Sequence, residues 1–143
     1  PGFVVPAAGD VPTFPGVGDF DGKQAFAVAA WVRNGKRNAS GALVARMDPK
    51  ADHRGWDVWV QGDRVGMHVV SGWGAGNALK VVAKPQLKLR EWQHVCVTYD
   101  GSGKAAGVAV YVDGQPVPTT VEVDGLTGPA TTAVPFKVGQ RDT

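Results

Sequence analysis

Apolar and polar positions alternate with a period of two along much of the chain, most clearly between residues 92 and 117. Val95, Val97 and Tyr99 leave a run at 94–99 on one side, and His94, Cys96 and Thr98 leave it on the other. A second run at 108–112 repeats the pattern, with Val108, Val110 and Val112 opposed by Ala109 and Tyr111. Successive side chains of a strand point to opposite faces, so such alternation marks half-buried strands. Each run ends in Asp-Gly, and Asp113-Gly114 suits a tight hairpin turn because both residues tolerate positive φ. The same reading predicts strands at 26–33, 42–47, 56–61, 64–70, 79–82 and 136–138. No segment carries a 3.6-residue apolar stripe, and 20 glycines and 10 prolines punctuate the chain. Short, regularly spaced strands separated by Gly, Asn and Asp predict an all-β fold, a two-sheet antiparallel jelly-roll sandwich. The Pro-rich segment 1–15 is expected to be an edge strand or extended arm.

Length and composition narrow this picture modestly. At 143 residues, a single domain over 1–143 is expected, with roughly two-thirds of the unfolded surface buried. A hydrophobic fraction of 43% with 20% charged residues is ordinary for a globular domain. The formal charge of +2 does not call for a polyanionic partner such as nucleic acid. Cys96 is the only cysteine, so no disulfide forms within the chain. Its place among valines suits a buried, inert thiol. No apolar run approaches the length of a membrane span. Pro1-Gly2-Phe3 is not a natural start, and the chain reads as a domain cut from a longer protein.

The wording W-x-H-V-x-V-T-Y-D-G followed by V-Y-V-D-G closely resembles the laminin-G-like branch of the concanavalin A-like lectin/glucanase family. GDFDGKQAFAVAAWVR is similar to that family's first sheet strand, with its F-x-x-x-A-W-V pattern. GALVARMD, RGWDVWVQGDRVGMHVVS and WGAGNALKVVAK resemble a narrower subgroup, found as lectin-like inserts in large bacterial multidomain proteins with c-type cytochrome modules. No C-x-x-C-H occurs in this chain, so it carries no haem attachment site of its own. The resemblance implies a non-catalytic binding module on a secreted, periplasmic or cell-surface protein. Members of that family usually continue past a V-G-Q-R-like segment into a final strand resembling I-D-E-V-R-I-Y, which is missing here; either it is cut off or it is supplied differently, and an open sheet edge is then expected.

On the strand faces opposite the valines, Trp31, Arg46, Asp57, Trp59 and His68 are candidates to share one sheet. Aromatic faces stack on sugar rings, while guanidinium, carboxylate and imidazole groups bond hydroxyls in fixed directions. Together they suggest a carbohydrate platform. The alternative is that the tryptophans pack under loops and His68 is a satisfied structural histidine. In the connections, Asp48, Arg54, Trp73 and Asn77 form a second cluster. The glycines around Trp73 suggest a flexible, exposed recognition loop, and the charges read alternatively as Arg54–Asp48 or Arg54–Asp57 ion pairs that order it. Lys80, Lys84, Lys88 and Arg90 would suit an anionic polysaccharide, or simply blunt a strand edge.

Related jelly rolls often hold calcium at the rim, and Asp19 and Asp21 in GVGDFDGK are the candidate metal ligands. Calcium needs several converging oxygens, and an Asp in a Gly-rich turn also serves turn chemistry. Zinc is disfavoured by three scattered histidines and one thiol. Catalysis is not expected. The glucanase relatives need two carboxylates in an E-x-D-x-x-E strand, whereas Glu91 and Glu122, the only glutamates, fall elsewhere. No G-x-S-x-G elbow is present, and the G-W-G-A-G run precedes no helix. The expected partner is a glycan or glycosylated surface. A structural or protein–protein module, docking on neighbouring domains or on a second copy through an open sheet edge, is the alternative.

Overall fold

A computed structural model describes Val4 and residues 9–143. Eleven strands form two antiparallel sheets in the described residues: β1 (Thr13–Phe14), β2 (Phe26–Arg33), β3 (Gly41–Asp48), β4 (Arg54–Gln61), β5 (Arg64–Gly72), β6 (Asn77–Ala83), β7 (Trp92–Tyr99), β8 (Val108–Val112), β9 (Gln115–Pro116), β10 (Thr119–Asp124) and β11 (Phe136–Val138). The larger sheet runs β1-β11-β3-β4-β5-β6-β10 and the smaller runs β2-β7-β8-β9. The jelly-roll sandwich expected from the alternation is the observed architecture. Part of the expected N-terminal arm, residues 1–3 and 5–8, lies outside the described residues; β1 forms a short edge strand beside β11.

The alternation decides what lies between the sheets. Trp56, Val58 and Val60 of β4, Val65, Met67 and Val69 of β5, and Leu79 and Val81 of β6 face inward. They meet Val95, Val97 and Tyr99 of β7 and Val108 and Val110 of β8. These side chains are almost wholly buried, so water is excluded and the apolar area removed from it drives the sheets together. One end of the sandwich is closed by aromatics. Phe20 stacks on Phe26 at 4.2 Å between ring centroids, and Trp56 lies 4.8 Å from Phe26. The Trp56 indole N–H donates to the Gly18 carbonyl at 2.7 Å, satisfying its one polar atom.

Turn chemistry sets the register. β8 and β9 are joined by Asp113-Gly114 alone, with φ of 50° and 77°, as expected of a hairpin turn that matches strand twist. Gly62-Asp63 joins β4 to β5 in the same way, with φ of 53° and 68°. The Asp63 carboxylate also accepts hydrogen bonds from Asn34 Nδ2 and from the backbone N–H groups of Asn38 and Ala39, tying the β2–β3 connection to this turn.

Candidate functional site

The outer face of the larger sheet carries the chemistry. Across it, Ala45, Asp57, His68 and Lys80 stand in one cross-strand row, because β3, β4, β5 and β6 pair at those positions. Trp59 lies to one side of the row on β4. Met47, Val70 and Ala78 lie to the other and pack as a second, smaller apolar cluster. The polar groups of this row, Asp57, His68 and Lys80, are thus flanked by apolar surfaces outside the main core.

Asp57 is fully buried. A carboxylate in that position is costly unless every oxygen is paired. Its Oδ1 lies 2.7 Å from His68 Nδ1, and its Oδ2 accepts from Arg141 Nε at 2.7 Å. The Arg141 guanidinium also lies flat over Trp59, 4.1 Å from the ring centre, a cation–π contact. Arg141 arrives because the chain turns back after β11: Gly139, with φ of 93°, still donates its N–H to the Leu43 carbonyl, whereas Asp142 N–H donates to the Met47 carbonyl at the other end of β3. Lys137 pairs beside Ala45 on β3, and its ammonium holds the Asp142 carboxylate of the returning segment at 2.6 Å.

Beside this group lies a recess of about 160 Å³ lined by Met47, His53, His68, Val70, Trp73 and Arg141. Trp73 stands edge-on to His68 at 5.6 Å. Its loop is pinned rather than flexible. Trp73 N–H donates to the Asp52 carbonyl, Gly74 N–H donates to the Asp52 carboxylate, and Gly76 N–H closes a turn on the Trp73 carbonyl. Asp52 and His53 both adopt left-handed backbone, with φ of 52° and 59°, which swings the β3–β4 connection round to the recess.

The structure brings together Asp57, Trp59, His68 and Trp73 from the residues expected of the site. It separates the others. Trp31 lies on β2 in the smaller sheet, on its outer face, 65% exposed and edge-on to His94. Alternation told which side of a strand it takes but not which sheet, and the single platform with Trp59 is corrected accordingly. Arg46 is buried at the sandwich edge, on the inward parity of β3 opposite Trp56. It donates to the carbonyls of Pro15, Val17 and Thr132, so it fastens loops and does not join the platform. Asn77 is likewise engaged: its Oδ1 accepts from Thr127 and Gly128 N–H and its Nδ2 donates to Thr127 Oγ1. Neither ion pair expected of Arg54 forms; its Nε donates to the Ser71 carbonyl, while Asp48 caps the turn at Pro49–Ala51. Sequence reasoning missed His53 and Arg141, and the reversal of the chain at Gly139 leaves no period-two signal for the latter.

A family model described as the concanavalin A-like lectin/glucanases superfamily, the Laminin_G_3 group, matches residues 7–143. The chain belongs to this superfamily. No curated protein matches the chain significantly. Among solved structures, the native heptameric SAP-like pentraxin from Limulus polyphemus is similar in fold, with a TM-score of 0.58 and 21% identity. The match covers 91% of this chain and 55% of the pentraxin chain, so the chain spans about half the length of that relative.

Two chemistries known in this superfamily can be tested on the geometry. Glycoside hydrolysis needs two carboxyl groups roughly 5–9.5 Å apart across the scissile bond. On this face Asp57 and Glu122 are three strand spacings apart, roughly 14 Å. Asp57 is saturated, and Glu122 is held by Lys80, which keeps its carboxyl below the usual range. Calcium at Asp19 and Asp21 fits poorly. Asp19 faces Arg46 Nε at 3.5 Å and accepts from Thr132 N–H, while Asp21 Oδ1 accepts from Lys23 N–H. Each carboxylate has its own structural partner, and no group of three metal-binding side chains converges among the described residues.

Proposed function

We propose that this domain is a non-catalytic carbohydrate-binding module, acting in a secreted, periplasmic or surface protein. Its site is the recess bounded by Trp73, His68 and Arg141. The observation that carries this reading is the pairing, in one pinned concavity, of an aromatic ring with polar groups fixed by a buried carboxylate. A sugar ring presents apolar C–H faces and hydroxyl edges, and such a recess offers a partner to each. Trp59, whose face is covered by the Arg141 guanidinium, supports the site from beneath instead of stacking on the ligand. Screening the intact domain on a glycan array tests the reading. Binding to at least one glycan class is expected, with Trp73→Ala weakening it roughly tenfold or more. Failure of the intact domain to bind any glycan defeats it.

A second reading, a protein–protein module, is favoured by one observation on the opposite side of the molecule. Trp31 and Trp92, 65% and 54% exposed, share the outer face of the smaller sheet. Concentration-dependent light scattering should then show self-association that Trp31→Ser with Trp92→Ser removes, and a strict monomer counts against self-docking through this face.

A further inference from the structure

The recess has no acidic group in its polar lining. His53, His68 and Arg141 are its polar lining, and Met47, Val70 and Trp73 supply the rest. The carboxylate beneath, Asp57, has one oxygen on His68 and the other on Arg141. At the rim, both oxygens of Asp52 face the Gly74 N–H. Further along the row, Lys80 and Glu122 are paired with each other. The lining itself therefore presents no carboxylate, and Asp52 keeps acceptor capacity only at the rim.

Arg141 is the group of the lining that can only donate. A guanidinium carries five N–H groups, and among the described residues only Nε of Arg141 has a partner, which leaves the fork of Nη1 and Nη2. That fork is held in place twice, by Asp57 from below and by the face of Trp59, so little freedom is lost when it binds. His68 Nδ1 is committed to Asp57, which leaves Nε2 for a ligand, as an acceptor when the ring is neutral and as a donor when it is protonated. His53 makes no side-chain hydrogen bond among the described residues. Sugar hydroxyls both donate and accept, and a guanidinium, which cannot accept, uses only half of that capacity. A carboxylate only accepts, and its two oxygens match a guanidinium fork.

We infer that the recess takes the carboxylate of an acidic sugar, a uronic acid unit, with Arg141 as the fork, the two histidines flanking it and Trp73 against the ring. This rests on the glycan reading and narrows it. The volume agrees: about 160 Å³ is below the roughly 300–1,000 Å³ that larger ligands fill, and suits a single sugar unit.

Calorimetry with oligomers of galacturonate, glucuronate and mannuronate, each beside its methyl ester, tests the inference, because the ester keeps the ring and removes the charge. At least one free acid should bind about tenfold or more tighter than its ester, the size expected of hydrogen bonds to a charged group. Arg141→Gln should abolish that preference. His53→Gln, which removes no hydrogen bond of the fold, should reduce it severalfold, while Trp73→Ala should weaken acid and ester alike. Equal affinity for acid and ester overturns the inference and leaves the glycan reading standing. Tighter binding of a sulfated oligosaccharide than of any uronate also overturns it, since a tetrahedral anion would then be preferred. No binding of any glycan overturns both.

Discussion

Replacing Asp57 with alanine should be among the most damaging single changes outside the main core. The carboxylate is 0% exposed and holds two 2.7 Å contacts, to His68 Nδ1 and Arg141 Nε. Hydrogen bonds to a charged group contribute about 1.5–3 kcal/mol each. The Arg141 contact belongs at the low end, because that side chain is 22% exposed and can turn to water. The His68 side chain, 9% exposed, would keep a buried nitrogen without its acceptor. The expected loss is therefore about 3 kcal/mol, the lower edge of what breaking a buried pair costs. For a chain of this length, about 3–4 °C of Tm accompanies each kcal/mol, so Asp57→Ala should melt about 10 °C lower. Asp57→Asn, which retains one acceptor oxygen, should lose about half as much. Circular dichroism melts at neutral pH measure both. If Asp57→Ala melts within about 2 °C of the native domain, the claim that this carboxylate organises the outer face is wrong.

Two further outcomes follow from other parts of the molecule. Arg46→Ala removes donors to three backbone carbonyls and should cost about 2 kcal/mol, read as a lower Tm, while leaving glycan affinity unchanged; a matching loss of affinity would return Arg46 to the binding site. In acid, three carboxylates set the slope. Asp63 is held below its ordinary value by the N–H of Ala39, the Asn34 amide and the N–H of Asn38, Asp100 by the Ser102 hydroxyl and N–H, and Glu122 by Lys80. A depressed pKa means that the unfolded chain takes up protons first, so this stability is present above the ordinary carboxylate range and is lost as pH falls below about 4. Tm should drop from pH 5 to pH 3, and less steeply in Asp63→Asn; a flat profile contradicts the pairing.

Much of the fold could be read before any coordinates because period-two alternation carries it. The bounds expected for β2, β8 and β11 coincide with those observed, and the remaining expected strands differ by a residue or two at their ends. β10 was not anticipated, for a physical reason. It is an edge strand, mostly exposed, and its register with β6 shifts between Val121 and Val123, so neither burial nor a strict period marks it. β9 is two residues long and contains a proline, which only an edge position tolerates. Where one face of a strand is buried the pattern is loud; at edges, where nothing enforces it, the pattern fades.

The site shows a different limit. Placing Asp57, Trp59 and His68 on one face required only alternation within neighbouring strands, and that much was legible. Distinguishing an open aromatic from a covered one was not. Trp59 and Trp73 are equally apolar letters, yet one lies under a guanidinium 82 residues away in sequence and the other borders an open recess. Trp31, the most exposed of the expected site tryptophans, sits on the other sheet altogether. The expectation of a broad stacking platform failed because outward direction was treated as accessibility. What decides accessibility here is a buried carboxylate, Asp57, whose second oxygen needs a partner beside His68 and draws Arg141 across the sheet to supply it. The same contact that closes Trp59 leaves the Arg141 fork without an acceptor among the described residues, which is why a guanidinium-lined recess, and not a flat aromatic surface, is the feature on which binding should be tested.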